Sequence, residues 1–429
     1  MTKFAQFCFV LLALPVVGLS QTALEYAPAP ADNPLKGFVP YVEADQWERF
    51  PHSMEFHYFA LNELMQGYES FHWSPIEKIL ATAQGRGCQL TFRVMMEYPN
   101  RGVLVPRFLI DEGVKVTKWE SKESDSGICH TPDYEDPRLR RALVAFVAAL
   151  GEKYDGDPRV AYLTAGLLGL WGEWHNYPRE ELAASKETEG LVLDAYEKAF
   201  SKTPVLLRYP AGEDHYAHAA NHLRPFGYHD DSFSWATLDT GRRQDDWYFM
   251  PLVKAAGATG KWKTQPIGGE LRPDLWEKSF TETPHPRSQG FEACVRETHA
   301  SWLMDSGLFE KRFPLSESRK ESATKAVQLL GYEFFVSEWQ IVGGEIRITV
   351  ENRGVAPFYH DWPVELEAGG KRIARFHLRG ILPGDSRTWT AKVVAEGAEY
   401  RLRVPNPMEG GKPLRFANAE QGDEWLVLP

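Results

Sequence analysis

Apolar and polar positions change period repeatedly between about residue 36 and residue 330. Short apolar or alternating runs predict strands at 37–41, 55–60, 89–96, 160–171, 205–209, 227–231, 266–270 and 301–305. Between most of them the spacing shifts toward three and four, predicting helices at 76–84, 137–153, 187–200, 244–256, 290–300 and 316–329. The clearest is 137–153, where Leu139, Leu143, Phe146, Val147 and Leu150 share one face. Eight strand signals alternating with helices over about 300 residues predict an α/β fold, a (β/α)8 TIM-like barrel. A doubly wound open sheet is the alternative, but no Gly-x-Gly-x-x-Gly follows an early strand.

After about residue 331 the pattern changes. Ile346, Ile348 and Val350 alternate with polar residues, and Val364 and Leu366 alternate with Glu365 and Glu367. Further short strands fit 372–378, 387–394, 400–404 and 425–428, separated by turns such as Gly343-Gly344, Gly369-Gly370 and Pro383-Gly384-Asp385. The expected unit over 331–429 is an all-β immunoglobulin-like sandwich that packs against the barrel. Its Trp339, Trp362, Trp389 and Trp425 can build a core or present a sugar platform; the core is the stronger reading. Residues 99–136, polar and irregular, follow the third strand and are expected to wall a cleft.

The first twenty residues read as an export signal, with Lys3 before an apolar run and small residues at Gly18 and Ser20. The expected organisation is therefore a signal peptide over 1–20, a barrel over 21–330 and the sandwich beyond, in a periplasmic or extracellular protein. No later stretch is long and apolar enough for a transmembrane anchor. Cys8 would leave with the signal; Cys88, Cys129 and Cys294 allow at most one disulfide and have no zinc-type spacing. The formal charge is −11, which opposes a nucleic-acid partner. Aromatic residues reach 13%, including 14 Trp, and flat aromatic faces suit carbohydrate.

Chemistry concentrates in Gly-Leu-Leu-Gly-Leu-Trp-Gly-Glu-Trp-His at 166–175 and Pro-Ile-Gly-Gly-Glu at 266–270. Glu173 ends the fourth predicted strand and Glu270 the seventh. They lie 97 residues apart, about 32 per β/α unit, so both reach the same mouth of a barrel. Cleaving a glycosidic bond requires one carboxylic acid to protonate the leaving oxygen and one carboxylate to attack or stabilise the oxocarbenium ion. Glu173 is expected to be the acid/base, desolvated by Trp171 and Trp174, and Glu270 the nucleophile, kept ionised by Arg93 or Arg208. His57, Glu97, Tyr98, His175, Tyr209, His229, Asp230, Asp231, Trp302 and Asp305 lie near strand ends; those offered as sugar contacts are His57, Arg93, Glu97, Trp171, Trp174, His175, Arg208, Tyr209, His229, Asp231 and Trp302.

The placement of the two glutamates resembles clan A glycoside hydrolases, which are retaining (β/α)8 enzymes. Asn-Pro-Leu-Lys-Gly-Phe-Val-Pro-Tyr at 33–41, Tyr-Asp-Gly-Asp-Pro-Arg at 154–159, Trp-Gly-Glu-Trp-His at 171–175 and Gly-Gly-Glu at 268–270 resemble an uncharacterised family of exported bacterial proteins with a glycosyl-hydrolase-like domain of unknown function. The clan resemblance implies catalytic roles for Glu173 and Glu270 only. One departure is Gly172, where clan enzymes carry an Asn that binds a sugar hydroxyl. Two other readings stay open: a non-catalytic carbohydrate-binding protein, and a metal-dependent hydrolase using His57, His175, His229 and Asp230 or Asp231. No HExxH or EF-hand spacing supports the latter, so neither metal nor cofactor is expected.

Overall fold

A computed structural model describes residues 22–122, 127–394 and 397–429. The predicted export signal lies outside the described residues. Eight strands form the first unit: β1 (Gly37–Val39), β2 (Met54–Ala60), β3 (Gln89–Met95), β4 (Val160–Thr164), β5 (Val205–Leu207), β6 (Gly227–Phe233), β7 (Ile267–Leu271) and β8 (Trp302–Met304). Consecutive strands from β2 to β8 pair in parallel, and β8 returns to β1 with Leu303 opposite Phe38. The ring closes by a short bridge between β1 and β2: Phe56 N donates to Pro40 O at 2.8 Å and Val42 N to Phe56 O at 3.0 Å. This closure excludes the open-sheet alternative.

Helices α1 (Ser74–Gly85), α2 (Pro137–Tyr154), α3 (Lys186–Ala199), α4 (Phe249–Ala255), α5 (Phe291–Thr298) and α6 (Glu317–Leu329) follow β2, β3, β4, β6, β7 and β8. Local chemistry sets their starts. Asp136 accepts from Arg138 N ahead of Pro137, while Ser185 and Ser316 accept from Thr188 N and Arg319 N. The α2 stripe predicted from the sequence is fully buried against the outer faces of β3 and β4, where Leu90, Phe92, Val94 and Leu163 point.

Three differences from the sequence reading matter. Strand β4 ends at Thr164, not at 171, because the segment beyond it turns repeatedly through left-handed residues. The stretch expected to be irregular contains a hairpin, Val116–Ser121 paired with Gly127–Pro132. Its alternation is too polar to read as a strand, since only Trp119 and Ser121 of the first arm are buried. Cys88, Cys129 and Cys294 are all buried and unpaired, so none of the disulfides that the count allowed forms.

Beyond the barrel lie β9 (Phe334–Val342), β10 (Glu345–Asn352), β11 (Pro363–Ala368), β12 (Lys371–His377), β13 (Ser386–Lys392), β14 (Tyr400–Arg403) and β15 (Leu426–Leu428). Antiparallel pairing builds two four-stranded sheets. One runs Thr22–Ala23, β9, β10, β13; the other runs β12, β11, β14, β15. Ile346, Ile348 and Val350 of the first sheet and Val364, Leu366 and Leu402 of the second belong to one buried cluster, with Trp362 and Trp389 in it. Trp425 is instead half-buried beneath the guanidinium groups of Arg401 and Arg403.

That cluster continues into the barrel, where Met54, Phe56, Tyr162, Leu206 and Trp302 fill the lower interior. Tyr162 stacks on Trp302 with ring centroids 5.8 Å apart, and His360 meets Tyr162 at 5.7 Å from the other side. Tyr332 OH donates to Pro34 O at 2.7 Å and Tyr359 OH to Trp262 O at 2.7 Å. The C-terminal sheets thus close the barrel floor, leaving the end where the strands terminate as the open rim. Among the described residues no helix is long and apolar enough to cross a membrane.

Candidate active site at the barrel rim

Barrel interiors are ordinarily filled with branched apolar side chains. Here the lower half is apolar but largely aromatic, and the upper half is polar. Strand alternation places Tyr58, Arg93, Thr164, Arg208, His229, Asp231 and Glu270 in the upper half. Arg93 is 1% exposed and is the centre of the group. Its Nε donates to Thr164 Oγ1 at 3.1 Å, its Nη1 to Glu173 Oε1 at 3.4 Å and its Nη2 to Asp231 Oδ1 at 3.2 Å. Arg208 approaches Asp231 from the other side, with Nε 3.5 Å from Oδ2. Although burial opposes it, Arg93, His229 and Arg208 hold the Asp231 carboxyl well below the usual carboxylate range.

His229 lies between these charges. Burial and the Arg93 and Arg208 cations outweigh Asp231 and push its pKa below the ordinary histidine value. A tautomer protonated on Nδ1 satisfies both neighbours. It donates to Asp231 Oδ1 at 3.1 Å and leaves Nε2 to accept from Arg93 Nη2 at 3.3 Å.

Glu173 reaches this group through an unusual turn. Between Leu167 and Trp174, five residues have positive φ: Leu167, Gly169, Trp171, Gly172 and Trp174. The three that are not glycine each cost about 1 kcal/mol or more, and such strain is held only where surrounding bonds enforce it. Here they do: Leu167 N donates to Val94 O at 2.7 Å, Trp171 N to Glu97 O at 2.9 Å and Trp174 N to Leu168 O at 2.8 Å. The result projects Glu173 over the interior with its side chain 15% exposed, and His175 Nε2 lies 3.5 Å from its Oε2.

Gly172 has its own reason. With φ at +72°, an added Cβ would lie 3.1 Å from Gly166 Cα and 3.2 Å from Arg93 Cδ. The space that a side chain before Glu173 would need is taken by Arg93. Gly166 is tighter still, since its Cβ would meet Val94 O at 2.0 Å.

The structure brings together Arg93, Trp171, Glu173, His175, Arg208, Tyr209, His229, Asp231 and Glu270. Trp171 and His175 have ring centroids 6.0 Å apart, His175 and Tyr209 6.3 Å. Burial, with Glu270 and Glu173 adding to it against the opposing Arg93 cation, pushes the Tyr58 hydroxyl well above the usual tyrosine range. The sequence reading missed Tyr58, although it follows Phe56 by two positions and so shares its inward face.

Four expected contacts are placed elsewhere. His57 falls between inward residues and so points out, where Nδ1 pairs with Glu43 Oε1 at 2.6 Å. Trp174 is turned into the outer core, its Nε1 donating to Ala165 O at 2.9 Å. It flanks Glu173 in sequence but does not desolvate it. Trp302 faces inward but at the floor. Glu97 is 1% exposed and accepts from Thr131 Oγ1, from Tyr134 OH at 2.5 Å and from Asn176 Nδ2 at 3.0 Å. It joins the hairpin to the Glu173 turn, because Tyr134 OH also accepts from Gly169 N at 2.8 Å. Asp230 is likewise sealed, accepting from Thr237 Oγ1 at 2.6 Å.

Burial raises the Glu97 carboxyl from 4.5 to about 7, its hydrogen bonds only partly offsetting the shift. A carboxyl whose folded pKa is raised favours the fold fully below the unfolded pKa and loses that contribution as pH rises to the folded one. Relative to Glu97→Gln, the native protein is therefore expected to lose on the order of 2 kcal/mol of unfolding free energy between pH 4.5 and 7. Parallel urea titrations across that range check it; identical pH profiles for the two proteins would contradict it.

The metal-binding set suggested by the sequence does not assemble, since His57 is on the outside and His229 and Asp231 are engaged by Arg93. Another close group, His52, Glu55 and Cys88, sits near the opposite end of β2. Arg86 Nη1 already donates to both Glu55 oxygens, at 3.1 and 3.2 Å, and fills the cation's role.

No family model matches the chain, and no curated protein matches it. The comparisons therefore do not show the uncharacterised family that the sequence motifs are read as resembling. Among solved structures the chain is similar to three glycoside hydrolases. One is the catalytic domain of a β-amylase from Paenibacillus polymyxa, with TM-score 0.41 and 10% identity over 64% of this chain and 91% of that one. A family 39 glycoside hydrolase from Bacteroides cellulosilyticus gives 0.37 and 9% over 85% and 82%. A glucosidase from Croceicoccus marinus gives 0.33 and 10% over 87% and 98%. The barrel assignment itself stands on the strand order and its closure.

Proposed function

We propose that the protein is an exported glycoside hydrolase that cleaves a poly- or oligosaccharide with retention, its barrel catalytic and its C-terminal sheets an immunoglobulin-like sandwich. What supports this reading is that Glu173, on the turn that follows β4, and Glu270, on β7, both act electrostatically on the buried Tyr58 hydroxyl. In the proposed reaction Glu270 attacks the anomeric carbon while Glu173 protonates the leaving oxygen. A water molecule, deprotonated by Glu173, then releases the sugar from Glu270. Arg93 ties Glu173 to Asp231 and fixes the carboxyl against rotation, which is the positioning that such transfers need.

The test is hydrolysis of a panel of activated aryl glycosides. Turnover is expected in the native protein and a loss of about a hundredfold or more in Glu173→Ala and in Glu270→Ala. Equal rates in all three would remove the assignment, and an inverted product anomer would replace retention with inversion.

A second reading is a carbohydrate-binding protein without turnover. It is favoured by the engagement of both Glu173 oxygens, one by Arg93 and one by His175, and by the filled space beside Gly172. Glycan binding with no hydrolysis across the panel would select it.

A further inference from the structure

We infer that the saccharide taken at this rim carries negative charge, as a carboxylate or a sulfate ester on the sugar; the inference rests on the glycoside-hydrolase reading for the location of the site. The first observation is inside the barrel. Arg208 is 5% exposed, yet its Nε and Nη1 are buried without a hydrogen-bond partner among the described residues. Its one ion pair among the described residues, with Asp231 at 3.5 Å, is shared with Arg93. Arg93 by contrast is engaged at every nitrogen. A buried guanidinium with unfilled donors is half of a charge-assisted pair, and an oxyanion on the substrate supplies the other half.

The second observation is independent and lies on the rim. Trp235 follows β6, and two guanidinium groups sit over its indole: Arg272 at 5.0 Å and Arg287 at 4.1 Å from the ring. His285 adds an imidazole ring at 5.3 Å. Arg272 is two residues past Glu270 and is balanced by Asp274, whereas Arg287 has no carboxylate partner among the described residues. In a chain of formal charge −11, this platform beside a proposed nucleophile is a local reversal of sign. Stacked arginine keeps its planar fork oriented for bidentate contact with carboxylate or sulfate.

The Glu173 and Glu270 carboxylates would repel an anion placed between them, whereas the Asp231 charge is already offset by Arg93. The acidic group is therefore assigned to the Arg208 side and, on neighbouring sugars, to the Trp235 platform.

Affinity electrophoresis of the full chain through polygalacturonate, dextran sulfate and neutral dextran tests the inference. Retardation by an anionic polymer and none by dextran is expected, weakening with salt. Retardation by the sulfated polymer alone still supports the inference and names the anion as sulfate. Arg272→Gln/Arg287→Gln, both on the surface, should weaken that binding about tenfold. Arg208→Gln should reduce the ratio of kcat/KM for an aryl uronide over the neutral aryl glycoside. Equal retardation by all three polymers, or a double variant that binds as tightly as the native protein, would overturn it. Binding of the anionic polymer with no turnover of any glycoside leaves this inference standing and removes the hydrolase reading; hydrolysis of neutral glycosides without anionic binding does the reverse.

Discussion

Arg93→Ala is expected to destabilise the fold by about 4 kcal/mol, because removing one partner of a buried ionic group leaves the others uncompensated. Three features make this site severe. The guanidinium is fully buried, it is shared by Glu173 and Asp231, and it also donates to Thr164 and His229. Arg93→Met separates charge from packing, since it keeps most of the aliphatic volume. If charge is the cause, Arg93→Met should be nearly as damaging as Arg93→Ala, and Asp231→Asn should restore part of the loss. Urea unfolding of the three variants measures this. A cost below about 1 kcal/mol for Arg93→Met would mean that the carboxylates do not need the cation, and the role assigned to Arg93 in fixing Glu173 would fall with it.

Trp302→Ala should cost a similar amount, about 4 kcal/mol, for an apolar reason. The indole is 1% exposed and stacked on Tyr162 at the barrel floor. Its room is created by Gly268: a Cβ built there would lie 2.1 Å from Trp302 Cε2. The two positions must therefore be coupled. Gly268→Ala should be destabilising by overpacking in the native background and close to neutral once Trp302 is Ala. Additive effects of the two substitutions would show that the indole does not occupy the space over Gly268.

Which parts of this arrangement could be read from the chain follows from what is local. The eight barrel strands each overlap a predicted run, because an apolar run bounded by turn residues is a short-range signal. Glu173 and Glu270 were found because each ends such a run. Facing was harder. His57 lies near a strand end as a polar residue, but the period-two phase of Met54 and Phe56 turns its neighbour Tyr58 inward instead. Trp302 has the correct phase but sits at the wrong height, and height in a barrel depends on stagger between strands rather than on any one of them. Trp174 was misplaced because the turn from Leu167 passes through five left-handed residues and ends on Trp174 itself, φ +62°. Glu97 needs the hairpin, Tyr134 and Asn176 to define it, and no spacing in the sequence brings those together.

The two ends of the polypeptide are joined early in space and late in time. Thr22–Ala23 adds to a sheet opposite Trp339 and Glu338, and Asn33 exchanges hydrogen bonds with Arg415. Those partners follow every barrel strand in chain order, so a barrel formed before residues 331–429 are made has no floor, and Tyr162 and Trp302 are open to water until they arrive.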